Sequence, residues 1–238
     1  LAEVRAALAA ASVDVAEGAV GAGTGTSCYG WKGGIGTASR VLPERAGGYT
    51  VGALVQTNMG RAAELVICGV PVGRSLRPPA DDSGGQGEGA RFQVLASREE
   101  PSSPSSYPLA PGPSLPGSSI MMILATDAPL DARGLGRLCR RAAFGLARTG
   151  STGHGGSGDF VIAFSTTQRI PDRPDSPLAL RPALYEQPLM DWFAAAVVES
   201  IEEAIYNSLL MAQTVAGRNG HIRHALPAAE VARLLNRD

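Results

Sequence analysis

The stretch Ser119-Ile-Met-Met-Ile-Leu-Ala-Thr126 decides how the rest of the chain is read. Its apolar run, Ile120 to Ala125, carries no charge and falls far short of the roughly 18 residues a membrane-spanning helix requires. Bounded by Ser119 on one side and by Asp127-Ala-Pro129 on the other, it predicts a strand buried on both faces of a sheet. Composition changes abruptly just upstream. DDSGGQGEG is followed there by PSSPSSYPLAPGPSLPG, with six prolines from Pro101 to Pro116. Such a segment has too little apolar surface to offset the entropy of ordering itself. Residues 77–117 therefore read as a flexible surface insertion that delivers Ser119 to the mouth of a core strand.

Downstream, Leu135, Leu138, Ala142 and Leu146 mark one face of a helix that ends before Thr149-Gly150. A glycine cluster, STGHGGSG, leads into Asp159–Ser165, read as a second buried strand. From Met190 to Ala212, apolar residues recur at Phe193, Val197, Ile201, Ile205 and Leu209, four consecutive i, i+4 steps along a long helix. Upstream, Leu1, Val4, Leu8 and Ala11 predict a short amphipathic helix, and the glycine-rich run from Gly18 to Gly36 predicts loops and close backbone approach. Tyr49–Thr57 and Leu65–Val70 read as two strands joined through a turn at Asn58-Met59-Gly60. No internal repeat is visible, which argues against solenoids and propellers.

A chain of 238 residues with 44% hydrophobic residues allows one large domain or two small ones. Its net charge of −1 steers toward neither nucleic acid nor an anionic membrane. Thirty glycines and 17 prolines are many, yet too few for a collagenous or wholly disordered chain. Cys28, Cys68 and Cys139 are odd in number, widely spaced and free of any C-x-x-C pattern, so neither a disulfide framework nor a zinc site is expected, and a reducing, cytoplasmic compartment is. The opening LAEVRAALAA carries Glu3 and Arg5 and does not read as a signal peptide; the chain is expected to start inside a longer protein.

Three groups of residues invite chemistry. GGIGTASR, Gly33 to Arg40, contains G-x-G but lacks the third glycine of a dinucleotide fingerprint and the Lys-Ser/Thr ending of a P-loop, so it reads as a structural loop rather than a phosphate cradle. His221 and His224 have no carboxylate or cysteine at ligand spacing and read as exposed histidines; His154, in its glycine loop, supports nothing alone. No cofactor and no metal is expected. Ser119 is the better lead. Were the chain cut before it, the new α-amine, with a pKa near 8, would accept the hydroxyl proton and serve as the nucleophile's own base.

GAVGAGTGTSCYGWKGGIGTASR, VGALVQTNMGR, SSIMMILATDAPLDARGLGRLCRRAAFGLARTGS, GSGDFVIAFST and EEAIYNSLLMAQTVAGRNGHIRHALP, in this order, resemble the L-aminopeptidase D-Ala-esterase/amidase family, also called β-aminopeptidases. The resemblance covers nearly all of the chain outside the Pro/Ser-rich insertion. It implies an α+β fold, an αββα sandwich of the N-terminal-nucleophile type, formed by a single hydrolase domain over residues 1–238. It also implies a precursor that cleaves itself into an α part, 1–118, and a β part, 119–238. The family's nucleophile falls on Ser119, the serine and acid of its G-S-G-D/E segment on Ser157 and Asp159, and the asparagine of its Q-x-N-x-G turn on Asn58. In that scheme Asn58 stabilises the oxyanion, while Ser157 and Asp159 orient the free amine and relay its proton. The substrates implied are short peptides and amino-acid amides or esters, and the assembly implied is a homo-oligomer of processed heterodimers, without nucleic acid or membrane. There are two departures. Gly117-Ser118-Ser119 allows a cut before Ser118 as well as before Ser119, and the upstream portion that the resemblance implies recognises the substrate's amine is expected to lie ahead of LAEVRAALAA, outside this sequence, which would leave the pocket incomplete. A catalytically incomplete or purely binding module of the same fold is the alternative. The related glutamate N-acetyltransferase pattern fits less well, because it implies a threonine nucleophile and Thr126 lies at the wrong end of the strand.

Overall fold

The computed structural model describes residues 2–79, 118–167, 172, 184–185 and 187–236; residues 80–117, which hold nearly all of the expected insertion, lie outside the described residues. Helix α1 (Ala2–Ala9) opens the chain and buries none of its side chains. Two short strands, β1 (Ser27–Cys28) and β2 (Trp31–Lys32), then pair with each other. The main sheet follows, with β3 (Ile35–Val41) and β4 (Thr50–Asn58), and after the one-turn helix α2 (Val72–Ser75), β5 (Ser119–Thr126). Helix α3 (Ala132–Arg148) crosses to β6 (Gly158–Ser165), and α4 (Met190–Leu210), β7 (Val215–Ala216), β8 (Ile222–Arg223) and α5 (Ala228–Leu235) complete the order. The four strands lie in the sequence β3-β4-β5-β6, antiparallel except for the parallel pair β5 and β6.

Side chains alternate across a strand, so each strand offers one set to each face of the sheet. Val51, Ala53, Val55 and Thr57 of β4 and Ile120, Met122, Leu124 and Thr126 of β5 form the inner face, and all are buried. Helix α4 lies against β3 and β4, and α3 packs on α4 and β6. The stripe predicted on α4 is what meets the sheet: Phe193, Val197, Ile201, Ile205 and Leu209 are each fully buried. Helix α3 begins where Asp131 accepts a hydrogen bond from the Gly134 amide at 2.8 Å, a side-chain cap for one of the helix's unpaired N–H groups. It buries Leu138, Ala142 and Leu146, as its spacing predicts.

The outer face behaves differently. SIMMILAT is not buried on both faces: Met121 and Ile123 remain more than a third exposed. Nor is Asp159–Ser165 a buried strand. It is an edge strand, and Phe160, Ile162 and Phe164 on its outer side are exposed. An unbroken apolar run reports only that both faces are apolar; it does not say that this chain covers both. Among the described residues the other sheets are two-stranded pairs only, so the second large sheet of the expected αββα sandwich is not among them.

Two further readings are corrected. Leu65–Val70 is not a strand: Cys68 and Gly69 take positive φ (49° and 81°), and Ile67 and Val70 bond to each other across the resulting tight turn. GGIGTASR is not a loop beyond Gly34, because Ile35–Val41 forms β3. Its glycine serves packing. A Cβ on Gly36 would run into the carbonyl of Ala204 and sit 2.7 Å from the Ser208 nitrogen, so only a bare backbone lets α4 lie so close to β3. Gly36→Ala should therefore destabilise the fold by about 1–3 kcal/mol or more, the cost of overpacking against rigid backbone. Thermal unfolding checks this, and an unchanged midpoint would show that α4 has room to move.

Candidate active site

Three strands of the sheet come level at one end. Asn58, the last residue of β4, lies opposite Ser119, the first of β5, and Ser119 lies opposite Gly158, the first of β6. Alternation puts the Ser119 side chain on the outer face with Met121 and Ile123. Its Oγ donates to the carbonyl oxygen of Ser118 at 2.6 Å, and the Gly158 amide donates to the same oxygen at 3.1 Å. The carbonyl that precedes Ser119 is thus held by two donors.

Ser157 and Asp159 gather beside it. Ser157 Oγ donates to Asp159 Oδ1 at 2.6 Å and lies 3.5 Å from Ser118 Oγ. Asp159 stands in register with Ile120 rather than Ser119, so the acid connects to the serine pair through Ser157. The loop carrying Ser157 is itself anchored. The Ser157 amide donates to the His154 carbonyl at 2.7 Å, and His154 Nε2 lies 3.0 Å from Glu64 Oε2, which also accepts from the Arg61 amide. His154 therefore ties the approach to β6 to the segment that leaves Asn58. Sequence reasoning missed it because its partner lies 90 residues away.

Asn58 is oriented by the glycine-rich segment. Its Oδ1 accepts from the Ser27 amide at 3.3 Å, and Met59 N donates back to the Ser27 carbonyl at 3.1 Å. Below Ser27 sits Lys32, only 1% exposed, whose Nζ donates to the carbonyls of Thr26 (2.6 Å), Gly33 (2.6 Å) and Gly23 (2.8 Å). Carbonyls can only accept, so three such bonds use all three protons of an ammonium. Burial lowers the Lys32 pKa from the usual lysine range, while Cys28 nearby pulls it back up. Lys32 is thus committed to backbone. Gly34 is equally occupied, its amide donating to Thr57 Oγ1 at 3.1 Å.

The other candidates stand apart. His221 is exposed and His224 half-buried, and among the described residues no group of three or more His, Cys, Asp or Glu side chains could hold a metal ion. The three cysteines are free. Among the described residues no helix is long and apolar enough to cross a membrane.

With this geometry in place, comparisons with known proteins become decisive. The family model described as peptidase family S58 matches residues 1–223. The chain belongs to peptidase family S58. Among its members in the curated proteins, the β-peptidyl aminopeptidase BapA of Sphingosinicella microcystinivorans is 37% identical over 234 residues, covering 98% of this chain and 55% of the relative. The L-aminopeptidase D-Ala-esterase/amidase of Ochrobactrum anthropi, whose structure is described as a prototype for the serine aminopeptidases and a new variant among the Ntn hydrolase fold, superposes with a TM-score of 0.76 at 36% identity, over 98% of this chain and 56% of that one. The PH0078 protein of Pyrococcus horikoshii superposes with a TM-score of 0.74 at 42% identity, over 98% and 56% of the two chains. The S58 chain described here spans about half the length of the relatives it matches. These likenesses establish the α+β architecture of the Ntn-hydrolase type.

Beside this site Cys28 is fully buried, and burial pushes its thiol pKa from 9.0 up to about 12 despite hydrogen bonds to Thr57 and Ser208 that lower it. The thiol is inert at neutral pH and titrates later in the folded than in the unfolded chain. Its contribution to stability is therefore complete below pH 9.0 and is lost as pH rises toward about 12. The stability gap between wild type and Cys28→Ala should narrow over that window in denaturant titrations, and a constant gap would show that the thiol ionises alike in both states.

Proposed function

We propose that Ser119 is the nucleophile of a self-processing aminopeptidase that releases N-terminal residues from short peptides and hydrolyses amino-acid amides and esters. The observation that carries this reading is the grip on the Ser118 carbonyl: Ser119 Oγ and the Gly158 amide both donate to its oxygen. In the maturation step Ser119 Oγ adds to the Ser118 carbonyl carbon, its proton passes to the Ser119 nitrogen, and the C–N bond breaks to leave an ester. Water then hydrolyses the ester to a Ser118 carboxylate and restores the Ser119 hydroxyl. Ser118, which faces Ser157 and precedes the strand, is the less suited of the two serines. Parts 1–118 and 119–238 would stay together because β4 and β5 are neighbours in one sheet. Cytoplasmic location and assembly of the processed heterodimers into a larger homo-oligomer belong to the same proposal.

In turnover the freed α-amine takes the Ser119 proton as the hydroxyl attacks the substrate carbonyl, and returns it to the leaving group. The Asn58 amide stabilises the oxyanion, with the Gly158 N–H on the other flank. Ser157, held by Asp159, relays protons and orients the amine. The Met121 and Phe160 side chains share the outer face with Ser119 and give the substrate an apolar floor.

Ser119→Ala should abolish both cleavage and turnover, which mass spectrometry and a chromogenic amide assay on the full-length protein read directly. Persistence of both would remove Ser119 from the chemistry. Asn58→Ala should cut turnover by about a hundred- to a thousandfold with the fold intact. In Asp159→Asn, examined after cleavage is complete, loss of a negative charge near the α-ammonium should lower the amine's pKa and move the acidic limb of the activity profile to lower pH. An unmoved limb would make Asp159 a structural partner of Ser157.

A further inference from the structure

Lys32 is not part of the chemistry proposed above, yet its ammonium is nearly sealed from solvent, a costly placement for a charge unless something specific is gained. Three carbonyls satisfy its protons, and one of them is singular. The carbonyl of Thr26 and the amide of Ser27 belong to the same peptide unit. Lys32 Nζ donates to the Thr26 oxygen at 2.6 Å, and the N–H at the other end of that peptide donates to Asn58 Oδ1 at 3.3 Å. Drawing electron density toward the carbonyl makes the N–H of a peptide a stronger donor, and accepting at Oδ1 makes the NH2 of a side-chain amide a stronger donor in turn. The strand register sets Asn58, the residue that carries that amide, directly opposite Ser119.

We infer that Lys32 is a positioning residue for catalysis, which aims and polarises the Asn58 amide through the Thr26–Ser27 peptide so that a buried positive charge is felt at the oxyanion. The inference rests on the reading of Asn58 as oxyanion donor and extends it. Two features bring the charge and the Asn58 side chain onto the same peptide. The Ser27 amide is given to Asn58 and the Ser27 carbonyl accepts from Met59, so one residue fixes both the side chain and the onward turn. In addition, the other two carbonyls on Lys32, those of Gly23 and Gly33, flank this peptide and hold the ammonium against it.

The test is a double-mutant cycle on the processed full-length protein with a chromogenic amino-acid amide, after mass spectrometry has shown a new N-terminus at Ser119. Lys32→Met should lower kcat by about tenfold or more, with KM nearly unchanged, because the relay acts on charge that develops only in the transition state. In the Asn58→Ala background the same substitution should lower kcat by less than about twofold, since its route to the oxyanion has been removed. Lys32→Arg, which keeps the charge, should recover part of the loss. Should Lys32→Met fail to fold, Ser27→Pro removes the N–H that reaches Asn58 and leaves the lysine its three carbonyls, with Ser27→Ala as the control for the lost hydroxyl; the proline, and not the alanine, should reproduce the kcat loss and the same dependence on Asn58. Full-sized losses that multiply with Asn58→Ala would overturn the relay and leave Lys32 as a structural tie. If Asn58→Ala itself has no effect on kcat, the oxyanion reading fails first and the relay with it.

Discussion

Strand β5 is hydrogen-bonded on both sides, antiparallel to β4 and parallel to β6, and that double register is the constraint on which the site depends. A slip of one residue against either neighbour would send Ser119 to the opposite face and separate it from Asn58 or Gly158. The register is fixed from beneath. Ile120, Met122 and Leu124 are buried, and any slip would exchange them for Met121 and Ile123 and expose the packed set. Burying such side chains is worth about 1.5–3 kcal/mol each, so the core under α3 and α4 holds Ser119 in position far more firmly than any contact at the candidate site.

Lys32 solves a different problem. The segment before β3 is crowded with glycine, and a glycine-rich chain has much conformational freedom to lose on ordering. A hydrophobic cluster cannot anchor residues that lack side chains. One ammonium donating to three backbone carbonyls can, because it binds the backbone itself. The cost of burying the charge is met by full hydrogen bonding, and the same bonds that order the loop hold the Thr26–Ser27 peptide against Asn58.

The sequence made some of this legible and not the rest, for reasons that particular residues show. Helix α4 was readable because its buried face repeats at a period that survives in one dimension, and all five residues of the stripe are core. Ser119 was readable as a strand head because a compositional break precedes it. Strand β3 was hidden because Gly36, Ser39 and Arg40 carry no strand signal; Gly36 is there for the helix that crosses it, a reason visible only in three dimensions. Leu65–Val70 misled in the opposite way, since its apolar residues pack around a turn set by the positive φ of Cys68 and Gly69. The family resemblance pointed to Asn58, Ser157 and Asp159, which lie at one end of the sheet, but gave no sign of His154 or Lys32. Their roles depend on Glu64 and on backbone carbonyls, and backbone has no letter in a sequence.

The two faces of the sheet divide the labour of the molecule. The inner face is closed by α3 and α4 and supplies rigidity. The outer face carries Ser119 among Met121, Ile123, Phe160, Ile162 and Phe164, an apolar surface of a kind that soluble proteins seldom leave open. If Ser119 is the nucleophile proposed above, it would gain from being covered, because excluded water would no longer screen the donors proposed for the oxyanion. The Asn58 side chain, the Gly158 N–H and Lys32 lie toward that end of the sheet, and in the proposed mechanism each would be worth more in a dry site than in an open one. The apolar character of the outer strands would then be an electrostatic asset as well as a packing surface: once covered, it would lower the dielectric around the polar groups at its edge.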